Sequence, residues 1–180
     1  MSGRLIAVVG PSGVGKDSVM AAMAARRPDL GIVRRVITRA PDLGGEDYEA
    51  VGETAFAHMA ATGAFCLSWQ AHGLRYGIPA AVRDDLADGR DMLVNLSRGV
   101  LAEMQAAFPG AVVLHLTARP ETLAKRLAGR GREPREVIET RLARADMSLP
   151  AGVRAVEIAN DGPLSEAVDA ALAALYPARV

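Results

Sequence analysis

The stretch Gly10-Pro11-Ser12-Gly13-Val14-Gly15-Lys16-Asp17-Ser18 constrains this chain more than any other. Gly10 and Gly15 stand five residues apart, with a lysine directly after the second. The run before it, Leu5-Ile6-Ala7-Val8-Val9, reads as a buried strand, and the residues from Asp17 to Ala25 read as the start of a helix. Strand, Gly-rich loop and helix in that order are the setting of a phosphate-binding loop. The glycines let the backbone turn its N–H groups inward around a phosphate. The helix N-terminus adds unpaired donors and a partial positive charge. Residues 10–18 are therefore the candidate ATP and phosphate site, and Lys16 is the candidate catalytic cation. Only two of the 21 Lys and Arg residues are lysines, Lys16 and Lys125, so a lysine at this position is not a by-product of abundance.

Asp17 stands where such loops usually carry Ser or Thr for Mg²⁺, with Ser18 one step later. Two readings stay open. Asp17 holds Mg²⁺, directly or through water. Alternatively it favours the helix N-terminus on dipole grounds and Ser18 serves the phosphates.

The composition excludes several classes. A chain of 180 residues, half of them hydrophobic, fits one domain with a sizeable core. Basic and acidic residues balance at 21 each, which argues against nonspecific nucleic-acid binding. The single cysteine, Cys66, rules out an intramolecular disulfide framework. No run approaches the roughly 18 apolar residues of a membrane span. The chain enters a core strand almost at once, which argues against a signal peptide, so a cytoplasmic protein is expected.

In chain order, a helix over 16–26 stops at Pro28-Asp29, and a second strand is expected over Gly31 to Thr38. Its Arg34 and Arg35 read as solvated edge charges. The polar loop 38–48 holds Arg39, Asp42, Glu46, Asp47 and Tyr48 around Gly44-Gly45. It is either a solvated surface loop or an anion-binding one. Further helices are expected over 53–62 and from Pro79 to about Ala87, with a strand over 64–71 between them. A strand over 91–96 leads to Ser97, placed to cap a helix reaching Phe108. Strands over 111–117 and 154–159 alternate with helices over 121–128, 134–147 and 163–175. This order predicts an α/β fold with a mostly parallel sheet and helices on both faces. The expected division is a core of about 1–38 and 89–180, a small inserted substrate-binding subdomain of about 39–88, and a lid of about 129–147.

Arginines cluster near that lid. Arg130 and Arg132 flank a glycine. Val137, Ile138 and Leu142 mark the buried face of the next helix, with Arg141 and Arg144 at its margin. A guanidinium fork suits phosphate oxygens, so Arg130 and Arg141 are candidate clamps, while Arg126 reads as solvated.

These residues resemble the guanylate-kinase-like P-loop kinases over nearly the whole chain. The matching segments are Gly-Pro-Ser-Gly-x-Gly-Lys at 10–16, Thr38-Arg39, Glu46-Asp47-Tyr48, Gly63-x-Phe65, His72-Gly73, Tyr76-Gly77, Arg126-Leu127, Arg130-Gly131 and Asn160-Asp161. The resemblance implies that Arg39, Tyr48 and Tyr76 hold the phosphate of the acceptor. It also exposes departures. The two carboxylates with which guanylate kinases read the base align with Leu67 and Leu96, and the second loop arginine aligns with Asp42. Without those carboxylates a guanine site loses most of its discrimination.

Gly-Lys-Asp-Ser at 15–18, Ile-Thr-Arg at 37–39, Gly-Gly-Glu-Asp at 44–47 and Trp-Gln-Ala-His-Gly-Leu-x-Tyr-Gly at 69–77 resemble a narrower group, the ribose 1,5-bisphosphate phosphokinases of bacterial phosphonate breakdown. That likeness implies phosphoryl transfer from ATP, with Mg²⁺, to the 1-phosphate of a phosphorylated sugar, giving 5-phosphoribosyl 1-diphosphate. Glu46 and Asp47 then either bind ribose hydroxyls or only solubilise the loop. A nucleoside monophosphate kinase with unusual base reading is the alternative, and a non-catalytic binding module a more distant one.

Overall fold

The computed structural model describes residues 2–41, 46–129, 135–144 and 148–177. Asp42, Gly44 and Gly45 of the polar loop lie outside them, as do Arg130 and Arg132. The side chains of Arg141 and Arg144 are not described either.

The first strand, β1 (Leu5–Val9), is buried at all five positions. A strand that apolar cannot face water on either side, so both of its neighbours and both of its faces must be covered. β7 (Met92–Asn95) and β8 (Val112–Thr117) flank it in parallel, with Ile6 opposite Leu93 and Val112. β2 (Gly31–Ile32) adds to the outer side of β7, and β9 (Val156–Ala159) to that of β8. The sheet order β2-β7-β1-β8-β9 is parallel throughout.

Side-chain alternation along β1 then builds two apolar layers. Ile6 and Val8 meet Val19, Met20 and Met23 of α1 (Lys16–Arg26), Leu123 and Leu127 of α5 (Pro120–Gly129), Ile138 and Leu142 of α6 (Arg135–Arg144), and Val168 and Ala171 of α7 (Leu164–Leu175). Leu5, Ala7 and Val9 meet Val82 and Leu86 of α3 (Val82–Ala87) and Leu101 and Met104 of α4 (Leu101–Ala107). Helices on both faces of a parallel sheet are what the sequence predicted.

The expected strand over 31–38 is divided. Gly31–Ile32 belongs to the parallel sheet, whereas β3 (Val36–Ile37) joins a second sheet of order β4-β3-β6-β5. That sheet consists of β4 (Glu49–Ala50), β5 (Phe65–Ala71), β6 (Leu74–Pro79) and β3, and it rests on antiparallel pairing of β6 with both β3 and β5. The β5–β6 hairpin closes through His72 and Gly73, both at positive φ (52° and 72°), the geometry of a tight two-residue turn. α2 (Glu53–Ala61) precedes β5.

Four local expectations need correction. Pro79 ends β6 instead of opening a helix, at a ladder end where its missing N–H costs little. Ser97 makes no cap bond; a 3-10 turn over Arg98–Val100 intervenes before α4. Val137 is exposed, so the buried stripe of α6 is Ile138 and Leu142, one turn apart. Arg35 is 5% exposed and is no edge charge.

A polar clasp ties α7 to the start of the parallel sheet. Arg4 donates to both oxygens of Asp91, at 2.6 Å for the closest contact, and to the carbonyl of Leu175. The Tyr176 hydroxyl donates to Asp91 at 2.7 Å, and the Arg27 guanidinium lies 3.6 Å from the Tyr176 ring centroid. Burial raises the Asp91 carboxyl, but the bonds from Arg4 and Tyr176 outweigh it and leave it below its ordinary value. Burial, then the bond to Asp91, pushes Tyr176 up to about 12.

The linkage signs follow. The depressed Asp91 stabilises the fold above about pH 4 and loses that contribution as acid protonates it. The raised Tyr176 stabilises the fold below about pH 10, and the gain fades as pH climbs towards 12. Asp91→Ala leaves Arg4 and Tyr176 without their shared acceptor and is expected to cost about 2 kcal/mol in urea denaturation at pH 7. Its stability should also fall less steeply than that of the wild type between pH 5 and 3, by roughly the contribution lost.

Candidate active site

The carboxyl ends of parallel strands are where open α/β sheets place their ligand crevice. Here β1 runs straight into the Gly-rich loop, and Asn95, Thr117 and Ala159 end the three strands beside it.

The loop is held from inside. Val14 is fully buried, and its N–H donates to the carbonyl of Pro11 at 3.2 Å. Its own carbonyl accepts from Asn160 Nδ2 at 2.8 Å and from an Arg126 guanidinium nitrogen at 3.3 Å. Gly13 (φ 85°) and Gly15 (φ 96°) occupy the left-handed region around it. A Cβ on Gly15 would stand 2.9 Å from Asn160 Nδ2, and one on Gly13 2.9 Å from Leu127 Cγ. Small residues there let the loop lie directly on β9's successor and on α5. Arg126, expected to be solvated, is instead part of this support.

Lys16 opens α1 and curls back over the loop, donating to the carbonyls of Gly10 at 2.9 Å and Pro11 at 3.3 Å. Its charge is thereby held at the loop, beside the α1 N-terminus. Ser12 and Ser18 are exposed, while Gly15 and Asp17 are half-buried. Asp17 accepts from Asn95 Nδ2 at 3.1 Å. The α1 N-cap is Gly15, with no side-chain cap bond, so Asp17 contributes to that helix end by charge alone. Asp161, next to Asn160, accepts from the Arg119 N–H at 2.8 Å and from Thr122 Oγ1 at 2.7 Å, anchoring the start of α5. These bonds lower the Asp161 carboxyl.

The second sheet gathers the other expected residues. Ile37, Tyr48 and Tyr76 form one buried cluster. Arg39 lies 5.3 Å from the Tyr48 ring centroid, and the Tyr48 hydroxyl donates to the carbonyl of Ala40. Tyr76 stacks on Trp69, with centroids 5.2 Å apart and planes 8° from parallel. Arg39, Tyr48 and Tyr76 are thus brought to one place. The two acids differ. Asp47 is 85% exposed and pairs with Arg34, whereas Glu46 pairs with the buried Arg35.

Trp69 Nε1 donates to Ser97 Oγ at 3.1 Å, joining the second sheet to the end of β7. Ser97 therefore serves Trp69. Leu67 and Leu96 lie buried in one apolar cluster with Val33 and Val100, and Trp69 packs against it. The two positions that the resemblance aligns with base-reading carboxylates are thus both buried and apolar.

Comparison with known proteins gives the family. The guanylate kinase family model matches residues 2–161. The chain belongs to the guanylate kinase family. Among its relatives, the ribose 1,5-bisphosphate phosphokinase PhnN of Ruegeria sp. (strain TM1040) is 52% identical over 98% of this chain and 94% of its own. That of Pseudomonas fluorescens (strain SBW25) is 47% identical over 97% and 96%. The guanylate kinase of Anaplasma phagocytophilum shares the fold, with a TM-score of 0.66 over 93% of this chain and 81% of that one, at 19% identity.

Within this kinase family member, Asn95, Asn160, Arg126 and Ser97 are supports that reasoning from sequence alone did not assign. Asn160-Asp161 stood out there only as a matching dipeptide. Asn160→Ala leaves the buried Val14 carbonyl only the longer bond from Arg126 and is expected to cost about 1 kcal/mol in urea denaturation. Asp161→Ala loosens only the start of α5 and is expected to destabilise less than Asn160→Ala in the same measurement.

Proposed function

We propose that this protein transfers the γ-phosphoryl group of ATP to the 1-phosphate of ribose 1,5-bisphosphate, releasing ADP and 5-phosphoribosyl 1-diphosphate. The reading is carried by one juxtaposition. Arg39, Tyr48 and Tyr76 gather where an acceptor phosphate is expected, while the buried Leu67 and Leu96 offer no carboxylate where a base would be read. The high identity to proteins named ribose 1,5-bisphosphate phosphokinase supports it.

An oxygen of the acceptor phosphate attacks the γ-phosphorus, and the bond from that phosphorus to the bridging oxygen of ADP breaks. The acceptor is already ionised at neutral pH, so no general base is required. Catalysis is the in-line placing of two anions and the neutralising of charge between them. Residues 10–18 supply inward N–H groups, and Lys16 supplies a cation already held at the loop. We assign Arg130 and Arg141 to the transferring phosphoryl group, and the segment 39–88 to the acceptor.

Mg²⁺ fits the residues present. It is usually held by one or two carboxylates, with substrate phosphates and water completing its shell. Asp17 is such a carboxylate beside the loop, with one oxygen oriented by Asn95. Among the described residues no group of three or more His, Cys, Asp or Glu forms a self-sufficient metal site. When bound, the ion offsets phosphate charge.

No helix among the described residues is long and apolar enough to cross a membrane. Both proposed substrates are small phosphorylated molecules.

Purified protein with Mg-ATP should release ADP with ribose 1,5-bisphosphate and not with GMP or ribose 5-phosphate. Turnover with GMP would restore the nucleoside monophosphate kinase reading, and no turnover with any acceptor would favour a binding module. Lys16→Ala is expected to lower kcat on the order of 10²-fold, as removal of one stabilising donor does elsewhere. Asp17→Ala should raise the Mg²⁺ concentration needed for half-maximal rate; unchanged Mg²⁺ dependence would leave Asp17 only its effect on the helix end.

A further inference from the structure

Arg35 takes a charge into the interior. Its side chain is 6% exposed and that of its partner Glu46 is 13% exposed. Nε and an outer nitrogen of the guanidinium donate to the two carboxylate oxygens, at 2.7 and 2.5 Å. This is a bidentate fork, the geometry that fixes two planar groups relative to each other. The pair sits at the point where the chain leaves β2 for β3, and the Arg35 carbonyl also accepts from the Glu49 N–H at 2.8 Å.

Its surroundings are the acceptor cluster. The guanidinium carbon lies 5.1 Å from the Tyr76 ring centroid and 5.9 Å from that of Trp69, the two rings that stack on each other. Glu46 lies two residues before Tyr48, whose ring adjoins Arg39. Stability is a poor reason for such a pair, because well-packed apolar side chains of similar volume serve the interior as well or better. Fixing geometry is the better reason.

We propose that the Arg35–Glu46 pair is a positioning device for the acceptor phosphate. On one side it holds the Tyr76–Trp69 stack; on the other it fixes the segment that carries Tyr48 and Arg39. Its role in catalysis rests on the acceptor reading given above. Glu46 then does not touch the sugar. It acts through Arg35, and its loss weakens acceptor binding while leaving the ATP side unaffected.

The test uses the full-length protein with Glu46→Gln, Glu46→Asp, Arg35→Lys and the double substitution Arg35→Met with Glu46→Leu. Trp69 is the single tryptophan, so its emission reads the stack directly. Glu46→Gln and Arg35→Lys should each raise the acceptor KM about tenfold and leave the ATP KM within about twofold. Both should also shift the Trp69 emission. Glu46→Asp, which keeps the charge, should recover part of the lost affinity. The apolar pair should keep the melting temperature yet retain the raised acceptor KM, which separates positioning from stability.

An unchanged acceptor KM and unchanged emission in Glu46→Gln would overturn the proposal, as would acceptor and ATP KM rising together. If Glu46→Gln fails to fold, a normal acceptor KM in the apolar pair overturns it and a raised one supports it. Wild-type protein inactive on ribose 1,5-bisphosphate would instead overturn the functional reading. The Trp69 emission of Glu46→Gln then decides the pair's hold on the stack: a shift supports it and no shift overturns it.

Discussion

The phosphate loop depends on one buried anchor. Val14 is driven inward because it is apolar, but burying it also buries its carbonyl, and a buried carbonyl needs donors. Asn160 and Arg126 supply them from β9's end and from α5, elements far away in sequence. The loop's outward face can then present backbone N–H groups because its inward face is already satisfied. A rigid anion cradle follows from a packing constraint, and the glycines are needed where Leu127 and Asn160 press against the backbone.

The end of β7 joins the two halves of the molecule. Asn95 faces the α1 layer and reaches Asp17; two residues on, Ser97 reaches Trp69 in the second sheet. Between them Leu96 turns into the apolar cluster. β7 ends at Asn95, so the chain reaches the phosphate loop from the strand's last residue and the aromatic platform from Ser97 just beyond it.

Charged pairs serve different ends at the two ends of the sheet. The Arg4–Asp91–Tyr176 clasp is half-open to water and closes α7 onto the amino end, so its worth is stability with a defined pH window. The Arg35–Glu46 pair is nearly dry and sits beside the stacked Tyr76 and Trp69 rings. Burial of that kind raises the cost of every misplaced atom, which favours a single arrangement over mere adhesion.

The sequence by itself determined the local chemistry. Five apolar residues, a Gly-rich turn and a helix start can hardly be arranged otherwise, and alternating strands and helices force a covered parallel sheet. The likeness of motifs extended this to Arg39, Tyr48 and Tyr76, which the fold does gather. Only the tertiary structure decided how distant groups pair. The run 31–38 has one continuous β pattern, yet it splits between two sheets because Leu93 and Tyr76 offer partners on different sides. Arg35 and Ser97 read as a surface charge and a helix cap because short-range pattern cannot register Glu46 or Trp69 approaching from elsewhere. Local preferences are small and depend on neighbours in sequence. A buried ion pair or an unsatisfied carbonyl costs more, and depends on neighbours in space.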